Sequence, residues 1–458
     1  MNGIKGESRL ERENNGFVHR RDFVKLMVAA GLLSMTNTEE VQAFSSKAKG
    51  KILVVGGGAA GISMAARLNK WLKEPDITII DPNERQYYQP GFTLIASGVY
   101  QPDEVWKSQQ DCIPKGVKWI KDSVKAIDPE AKQVTTLGNQ TLDYDFLVLT
   151  PGLQINWDKV EGISYSALGQ GNAHCIYDFD GAQKTWSAMQ AFVKTGGRGL
   201  FTDTYTKHKC GGAPKKVCLL TEHNSRKQKT RGKITLDFYT ASKELYDVAY
   251  FTPRLLEIYK ERNIPVHTSV KVKGVDTASK QVYFERTETV GEEQKTSFFV
   301  EDYDFLHFTP PMSAPTFIRE SELGWTEGKF ADENWVMVDK ETMIHKKYTN
   351  IVSLGDCSDL PTSKTSAAIR MQVPVAAKNL ISLMEGKEPV EKYDGYAACP
   401  IVTDYGHVLL CEFDYAKERA SSFPFSMLDM SKESRLGWLL KVYMLKPLFF
   451  HGMLKGKA

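Results

Sequence analysis

The sequence predicts an α/β protein with parallel sheets, and three observations support this. The run Lys51–Val55 leads directly into Gly56–Gly61, which reads GGGAAG and has the pattern of a strand that enters a helix through a tight glycine turn. A second apolar run, Asp76–Ile80, ends at Asp81. The run Phe146–Leu149 is apolar at every position, as buried parallel strands are. Together they predict a first sheet that begins with a βαβ unit.

The glycine turn also predicts a dinucleotide site. In the pattern G-x-G-x-x-G, the first glycine permits the turn, the second lets the backbone approach a pyrophosphate, and the third lets the helix pack on the strand. The helix N-terminus then directs its amides at the phosphates. The acid after the second strand is placed to accept the ribose hydroxyls. The predicted site therefore includes Gly56, Gly57, Gly58, Ala59, Gly61 and Asp81.

Length and composition narrow the class of protein. The chain has 458 residues, enough for about three domains, and its 42% hydrophobic and 25% charged residues are ordinary globular values. The net charge of +3 predicts no nucleic-acid partner. Seven cysteines include no C-x-x-C pair and no His/Cys group with ligand spacing, so no metal site is expected.

The N-terminal segment has the order of an export signal. Arg20 and Arg21 precede the apolar run Leu26–Leu33, and Val41–Ala43 resembles a small-residue cleavage site. This order predicts a twin-arginine signal peptide, export, and a position on the periplasmic face of the membrane. The alternative is a flexible basic arm. We expect residues 1–45 to lie outside the fold.

The second half of the chain predicts another Rossmann-like unit. Lys216–Leu220, Ile234–Phe238 and Val266–Val275 are interpreted as strands, and Arg254–Arg262 as a helix. No glycine turn follows the first of these predicted strands. A nicotinamide dinucleotide would need such a turn, so no NAD(P)H site is expected.

A strand that ends in a Gly-Asp pair returns late in the chain. The run Asn350–Leu354 leads into Gly355 and Asp356. With the early glycine turn, this resembles the two-part flavin site of the disulfide-reductase superfamily. The resemblance implies that Asp356 holds the ribityl chain. It also implies that the helix after Lys364 directs its positive N-terminus at the flavin, where it would stabilise the charge gained on reduction.

Two cysteines stand out as candidate redox residues. Cys210 has lysine neighbours that favour the thiolate, and flanking glycine and proline indicate an exposed turn. Cys357 directly follows Asp356, so we expect it near the isoalloxazine ring. The other cysteines lie in apolar or aromatic surroundings and are predicted to be small buried side chains: Cys112, Cys175, Cys218, Cys399 and Cys411.

Longer segments resemble the mitochondrial type of sulfide:quinone oxidoreductase, from about Lys51 to about Leu454. The resemblance is carried by Arg85–Pro90, Lys209–Pro214, Thr309–Met312, Gly355–Lys364, Tyr393–Pro400 and Glu412–Tyr415. It implies two Rossmann-like, three-layer domains of the disulfide-reductase type, FAD as the cofactor, and a C-terminal amphipathic segment that binds membranes. One departure is Thr150-Pro151-Gly152, where the family usually has an Ala-Thr-Gly-like or Ala-Leu-Gly-like triplet.

The resemblance also assigns site residues. The two redox cysteines of the family fall on Cys210 and Cys357. The expected flavin contacts are Gly58, Ala59, Asp81, Gln89, Val124 and Asp356, and Gly152, Gly355 and Lys364 complete the predicted cofactor site. The expected boundaries are 1–45 for the signal and linker, 50–165 and 311–390 for the two parts of the FAD domain, 166–310 for the second Rossmann-like domain, and 391–458 for the membrane- and quinone-associated region.

The segment Leu436–Leu454 is apolar but interrupted by Lys441, Lys446 and Pro447. Lysines near its centre argue against a spanning helix and favour an amphipathic segment in the membrane interface, with the lysines reaching the headgroups. The expected membrane contacts are Trp438, Leu439, Tyr443, Phe449 and Phe450. The alternative is a core or dimer helix.

The predicted reaction is oxidation of sulfide through a cysteine pair and FAD. Hydrosulfide attacks one sulfur of the Cys210–Cys357 pair, a persulfide forms on Cys357, and the thiolate of Cys210 passes two electrons through the flavin to a membrane quinone. A small thiol or sulfite is the possible acceptor of the outer sulfur. Three alternatives stay open: the flavoprotein subunit of a flavocytochrome c sulfide dehydrogenase, a type of NADH:quinone oxidoreductase, and a non-catalytic FAD-binding relative.

Overall fold

Two five-stranded parallel sheets carry the fold in a computed structural model, which describes residues 44–291, 293–420 and 429–458. The predicted signal segment lies outside the described residues, apart from its last positions. The strands of the first sheet are, in order across it, Ile351–Ser353, Phe146–Leu149, Lys51–Val55, Asp76–Ile80 and Lys118–Ile120. The predicted strands Lys51–Val55, Asp76–Ile80 and Phe146–Leu149 are confirmed, and the strand before Gly355 joins the same sheet.

The first strand turns directly into the helix Ala59–Trp71. Gly56 has φ +93°, a conformation that favours glycine, and a Cβ on Gly61 would lie 1.9 Å from the carbonyl oxygen of Gly56. This close approach of helix to strand is what the third glycine of the motif permits. The turn therefore depends on these two glycines for its shape.

The second sheet has the order Ala173–His174, Phe305–His307, Gly197–Thr202, Ile234–Tyr239 and Val266–His267. The prediction of a strand at 216–220 is wrong, because these residues lie within the helix Ala213–Lys227. Every residue from 213 to 222 is buried, and a helix buried on all sides shows no polar face by which to distinguish it from a strand. The absence of a glycine turn after residue 220, on which the prediction of no NAD(P)H site depends, therefore does not refer to the end of a strand.

The strand predicted over Val266–Val275 is divided in the structure. Ser269 has φ +57° and separates the end of the parallel sheet from Val270–Asp276, which joins an antiparallel sheet. The strands outside the two parallel sheets are Arg85–Tyr87, Trp106–Ser108, Val124–Asp128, Gln133–Thr136, Thr141–Asp143, Gln154–Ile155, Val270–Asp276, Gln281–Val290, Glu293–Asp302, Met312–Ser313, Ala397–Asp404 and His407–Phe413. The remaining α-helices of four residues or more are Phe92–Ile95, Gln109–Cys112, Phe179–Thr195, Thr252–Glu261, Thr316–Glu320, Ser366–Met384 and Arg435–Leu439.

The C-terminal segment packs on the body of the protein rather than presenting its apolar side chains outward. Leu439, Phe449 and Phe450 are 3%, 2% and 5% exposed, so the prediction that they contact membrane is wrong for the structure as it stands. Phe449 packs against Tyr88, with ring centroids 5.3 Å apart. Among the expected membrane contacts, Tyr443 is exposed and Trp438 is half-buried. No helix in the described part of the chain is both long and apolar enough to span a bilayer.

The two lysines of this segment also differ from the expectation that they reach headgroups. Lys441 is buried, and its Nζ donates to the carbonyl oxygen of Pro90 at 3.1 Å. Lys446 forms an ion pair with Glu104 at 3.2 Å and lies over the ring of Tyr100. The segment is thus held to the loop that follows the first βαβ unit. Its backbone continues beyond Leu439 in further helical turns to Lys455.

Candidate active site

A cavity of about 750 Å³ lies between the glycine turn, the helix Ser366–Met384 and the C-terminal segment. Ligand pockets have volumes of roughly 300–1,000 Å³, so this one suits a large ligand. Of the predicted cofactor residues, those that line the cavity are Gly57, Gly58, Ala59, Asp81, Gln89, Gly152, Asp356 and Lys364.

Hydrogen bonds with three side chains fix the glycine turn at one end of the cavity. Asp81 accepts a hydrogen bond from the backbone N–H of Gly57 at 2.7 Å, and the side-chain amides of Gln86 and Gln109 donate to the carbonyl oxygen of Gly57 at 3.2 and 2.9 Å. Burial raises the pKa of Asp81, and the N–H groups of Asn83 and Gly57 partly offset this shift. The carboxylate thus orients the turn and also faces the cavity.

The residues at this end fit FAD. A Cβ built on Gly58 or on Gly152 would meet no atom within 4 Å, so both glycines leave open space in the cavity wall. The buried Oε1 of Gln109 has no hydrogen-bond partner among the described residues, which leaves it able to accept from a ligand hydroxyl. The N-terminus of the helix Ala59–Trp71 borders the same space and can face a pyrophosphate.

The other end of the cavity is built around a second helix N-terminus. The hydroxyl of Thr365 caps the helix Ser366–Met384 by accepting from the N–H of Ala368. Lys364 Nζ donates to the carbonyl oxygens of Asp356 and Ser358 at 2.7 and 2.8 Å. Burial, followed by the charge of Lys207, lowers the pKa of Lys364 to about 7. This arrangement can hold the flavin end of FAD, as the superfamily resemblance implies.

Four predicted cofactor residues do not line the cavity. Gly56 and Gly61 shape the glycine turn, and Gly355, with φ +78°, shapes the turn before Asp356. The expectation that Val124 contacts the flavin is not supported, because Val124 begins a strand of a separate three-stranded antiparallel sheet.

Two cysteines meet at the cavity wall, and they are not the predicted pair. The Sγ atoms of Cys210 and Cys399 lie 3.6 Å apart, and both residues line the cavity. Cys210 has φ +51°. It immediately precedes the two glycines that lead into the helix Ala213–Lys227. Its backbone N–H donates to the carbonyl oxygen of Lys364 at 3.0 Å, which ties this loop to the flavin end of the site.

The surroundings shift the pKa values of the two thiols in opposite directions. The pKa of Cys210 lies well below its usual value, first because the thiol of Cys399 donates a hydrogen bond to it and then because Lys216 offsets its burial. Lys216 Nζ lies 3.2 Å from Cys210 Sγ. The pKa of Cys399 is raised by the same hydrogen bond and by burial. Of the two sulfurs, Cys210 therefore favours the thiolate and Cys399 favours the thiol.

The predicted pairing of Cys210 with Cys357 is wrong. Cys357 is fully buried outside the cavity lining, and its Sγ lies 3.3 Å from the hydroxyl of Ser353 and 3.4 Å from the carbonyl oxygen of Leu149. Burial raises its pKa to about 11, which disfavours the thiolate. The turn at Gly355 directs Asp356 to the cavity and the following side chain into the core.

Sequence reasoning missed Cys399, Lys216 and Lys441. The sequence predicts Cys399 to be a small buried side chain, although it directly precedes the last residue of the segment Tyr393–Pro400, which carries the family resemblance. Lys216 was placed on a strand, which hid its position one helical turn after Gly212. Lys441 lines the cavity, and burial together with the charge of Lys216 lowers its pKa to about 7.

The chain is similar to known oxidoreductases in both sequence and fold. Residues 50–191 match the pyridine nucleotide-disulphide oxidoreductase family. A mitochondrial sulfide:quinone oxidoreductase of Dictyostelium discoideum is 39% identical over 89% of this chain and 86% of its own length, and one of Mus musculus is 36% identical over the same shares. The solved sulfide:quinone oxidoreductase of Aquifex aeolicus shares the fold, with a TM-score of 0.71, 20% identity, and coverage of 89% of this chain and 92% of that one.

These relatives overturn the prediction of twin-arginine export. Three of them, at 33–39% identity, are named as mitochondrial proteins, which contradicts a periplasmic position. A basic segment followed by a short apolar run does not by itself distinguish an export signal from a transit peptide, since both are rich in basic residues. With the cavity, the paired cysteines and relatives of this similarity, the chain belongs to the sulfide:quinone oxidoreductase family of FAD-dependent oxidoreductases.

Proposed function

We propose that this protein oxidises hydrosulfide at the Cys210–Cys399 pair and delivers the electrons through FAD to a quinone. The observation that carries the proposal is the 3.6 Å separation of the two Sγ atoms at the wall of a cavity that fits FAD. A disulfide needs a separation of about 2.05 Å, so a small movement of side chains joins the two sulfurs. The pair can therefore alternate between dithiol and disulfide.

The protonation states decide which sulfur is attacked. In the disulfide form, hydrosulfide attacks Cys399 Sγ, the S–S bond breaks, and Cys210 leaves with the electron pair as a thiolate. Thiols of lower pKa leave faster, and Lys216 stabilises the charge that develops on Cys210. The product is a persulfide on Cys399 and a thiolate on Cys210.

The persulfide then gives up its outer sulfur. A small thiol, as its thiolate, or sulfite attacks that sulfur and releases Cys399 as a thiolate. Re-formation of the Cys210–Cys399 disulfide releases two electrons, so a two-electron acceptor must adjoin the pair. FAD, held between the glycine turn and Lys364, would supply that acceptor and the connection to the quinone.

The C-terminal segment provides an apolar wall suited to a quinone. The side chains that it contributes to the cavity include Leu440, Met444, Leu445, Leu448 and Phe449. Because a quinone resides in lipid, we propose that the exposed Tyr443 and the half-buried Trp438 mark the edge that meets the membrane surface. By similarity to its relatives, we propose a mitochondrial location.

The test is anaerobic addition of sulfide to the FAD-loaded protein, followed by the absorbance of the flavin. The expected result is bleaching of the flavin band by sulfide and its return on addition of decylubiquinone. Cys210→Ser and Cys399→Ser should each retain FAD and lose the bleaching. Bleaching at the normal rate in either variant would refute the proposed pair. Return of the colour with cytochrome c but not with the quinone would favour the flavocytochrome alternative.

A further inference from the structure

A third cysteine lies beside the redox pair, on the adjacent strand. The strands Ala397–Asp404 and His407–Phe413 are antiparallel, and Cys411 stands directly opposite Cys399 in their register. Residues opposite each other in an antiparallel ladder present their side chains on the same face, with Cβ atoms about 4.5–5.5 Å apart. Both cysteines are buried, at 2% and 0% exposure. Cys399 therefore has two thiol neighbours: Cys210, on the loop before the helix Ala213–Lys227, and Cys411, on the adjacent strand.

A tyrosine hydroxyl without a partner faces the same group. Tyr246 is 5% exposed, and its buried hydroxyl makes no hydrogen bond to any described residue. Burial, followed by the charges of Cys399 and Cys411, raises the pKa of Tyr246. A buried hydroxyl is costly to leave unpaired, and a sulfur anion is an acceptor that this site can provide.

We propose that Cys411 is a third redox thiol, which exchanges with the Cys210–Cys399 disulfide to form a cross-strand Cys399–Cys411 disulfide. This inference rests on the proposed function of the pair. Opposite residues of an antiparallel ladder have Cα atoms about 4.5 or 5.5 Å apart, within the 4.4–6.8 Å that a disulfide requires. The cross-strand bond thus needs no rearrangement of the backbone.

The exchange is balanced without an external oxidant. The sulfur of Cys411 attacks Cys399, the S210–S399 bond breaks, the S399–S411 bond forms, and Cys210 leaves as a thiolate beside Lys216. The proton of Cys411 is released, and Tyr246 donates a hydrogen bond to the sulfur while it carries charge. One thiol and one disulfide become one thiolate and a different disulfide of the same three sulfur atoms.

The Cys399–Cys411 disulfide is a less reactive, resting form of this three-cysteine group. Burial raises the pKa of Cys411, so Cys411 is a poorer leaving group than Cys210, and hydrosulfide opens the cross-strand disulfide more slowly. Close packing around the fully buried Cys411 favours exchange over storage of an additional sulfur atom at this position. The first turnover after oxidation is therefore expected to show a lag.

The test is a disulfide map of the full-length, FAD-loaded protein after oxidation, acid quenching and alkylation. Trypsin places Cys399 and Cys411 in one peptide, residues 393–417, whereas Cys210 lies in the peptide 210–215. A Cys399–Cys411 disulfide appears as an internal bond in the first peptide, and a Cys210–Cys399 disulfide as a cross-link between the two peptides.

The expected result is that both forms occur in the unaltered protein, and that Cys411→Ala removes the internal bond and the lag while the cross-link stays. Tyr246→Phe should lower the ratio of internal bond to cross-link about fivefold, the effect of one ordinary hydrogen bond. Cys218→Ala is the matched control, since Cys218 is also fully buried but has Tyr259 as its neighbour, and it should leave the map unchanged.

The outcomes separate the two proposals. A cross-link without any internal bond would overturn the role of Cys411 and leave the proposed function standing. The absence of both species would overturn the redox pair itself. A persulfide found on Cys411 in place of the internal bond would show sulfur transfer to Cys411 and overturn the exchange.

Discussion

Lys216 Nζ lies 3.2 Å from Cys210 Sγ, one helical turn into the helix that begins after this cysteine. Burial lowers the pKa of Lys216, but the charge of Cys210 and then of Cys399 outweighs it and raises the pKa. The ammonium group therefore keeps its proton, and the pair is held as a buried thiolate–ammonium contact. Together with the hydrogen bond from Cys399, this contact favours the thiolate at Cys210.

Lys216→Met should raise the pKa of Cys210, because it removes a neighbouring cation that offsets the burial of this thiol. An opposite charge at this distance lowers a pKa by about 1–3 units, so the pH at which the reduced protein reacts half-maximally with iodoacetamide should rise by that amount. Lys216→Arg keeps the charge and serves as the control. An unchanged alkylation profile in Lys216→Met would show that the lysine does not set the thiolate.

Cys357→Ala separates the pair found in the structure from the pair predicted by sequence. Because Cys357 contacts Ser353 and Leu149 outside the cavity, its loss should leave the rate of flavin bleaching by sulfide unchanged. It should cost about 1 kcal/mol of unfolding free energy, as removal of a small buried group does. Stopped-flow absorbance and denaturant unfolding measure the two effects, and a loss of bleaching with FAD retained would restore Cys357 to the reaction.

Asp81→Asn tests the anchor of the glycine turn. The change removes the charge that accepts the N–H of Gly57. Loss of a hydrogen bond to a charged group costs about 1.5–3 kcal/mol, so the Kd for FAD should rise roughly 10- to 100-fold. Fluorescence of released FAD on dilution measures this. Asp76→Asn is the control, because Asp76 begins the strand that precedes Asp81 but is exposed and paired with Lys118, and it should not change the Kd.

Two glycines of the same turn should respond differently to alanine. A Cβ on Gly58 meets nothing within 4 Å, so Gly58→Ala should weaken FAD binding while the FAD-free protein keeps its melting temperature. A Cβ on Gly61 would lie 1.9 Å from the carbonyl oxygen of Gly56, so Gly61→Ala should lower the melting temperature itself. Thermal unfolding with and without FAD distinguishes the two. Equal losses of stability in the apo forms would contradict this account of the cavity wall.

Lys441 predicts a specific pH dependence of stability. Its pKa falls from 10.5 to about 7 on folding, so burial of its charge destabilises the protein fully below pH 7, and this cost shrinks as pH rises from about 7 to 10.5. Lys441→Met should therefore raise the melting temperature most at pH 6, and the gain should diminish by pH 9. A gain that grows with pH would show that Lys441 is stabilised, not strained, in its charged form.

The glycine turn could be predicted from sequence because its chemistry is local. The strand, the three glycines and Asp81 lie within about thirty residues, and each has one physical task. The Cys210–Cys399 contact joins residues 189 positions apart and depends on how the helix Ala213–Lys227 packs against the strand Ala397–Asp404. The hydrophobic pattern of a fully buried helix gives no sign of its type, and the error there concealed both Lys216 and the place of the Cys210 loop.

The burial of the C-terminal residues could not be inferred from their composition, because apolar residues with interspersed lysines suit a membrane surface or a protein interior equally. Only the contacts decide, such as those of Phe449 with Tyr88 and of Lys441 with Pro90. The expectation for Val124 failed for a related reason. Adjacent short strands in sequence belong to different sheets here, and the change of direction between Lys118–Ile120 and Val124–Asp128 has no strong sequence signal.

Residues 435–458 form one wall of the cofactor cavity, and their packing affects assembly of the holoenzyme. This stretch borders both the glycine turn and the cysteine pair, and Gly456 rests against the helix Ala59–Trp71. The cofactor cavity is therefore complete only when this stretch has packed against the rest of the protein. Release of the stretch would open the same cavity to an entering flavin nucleotide.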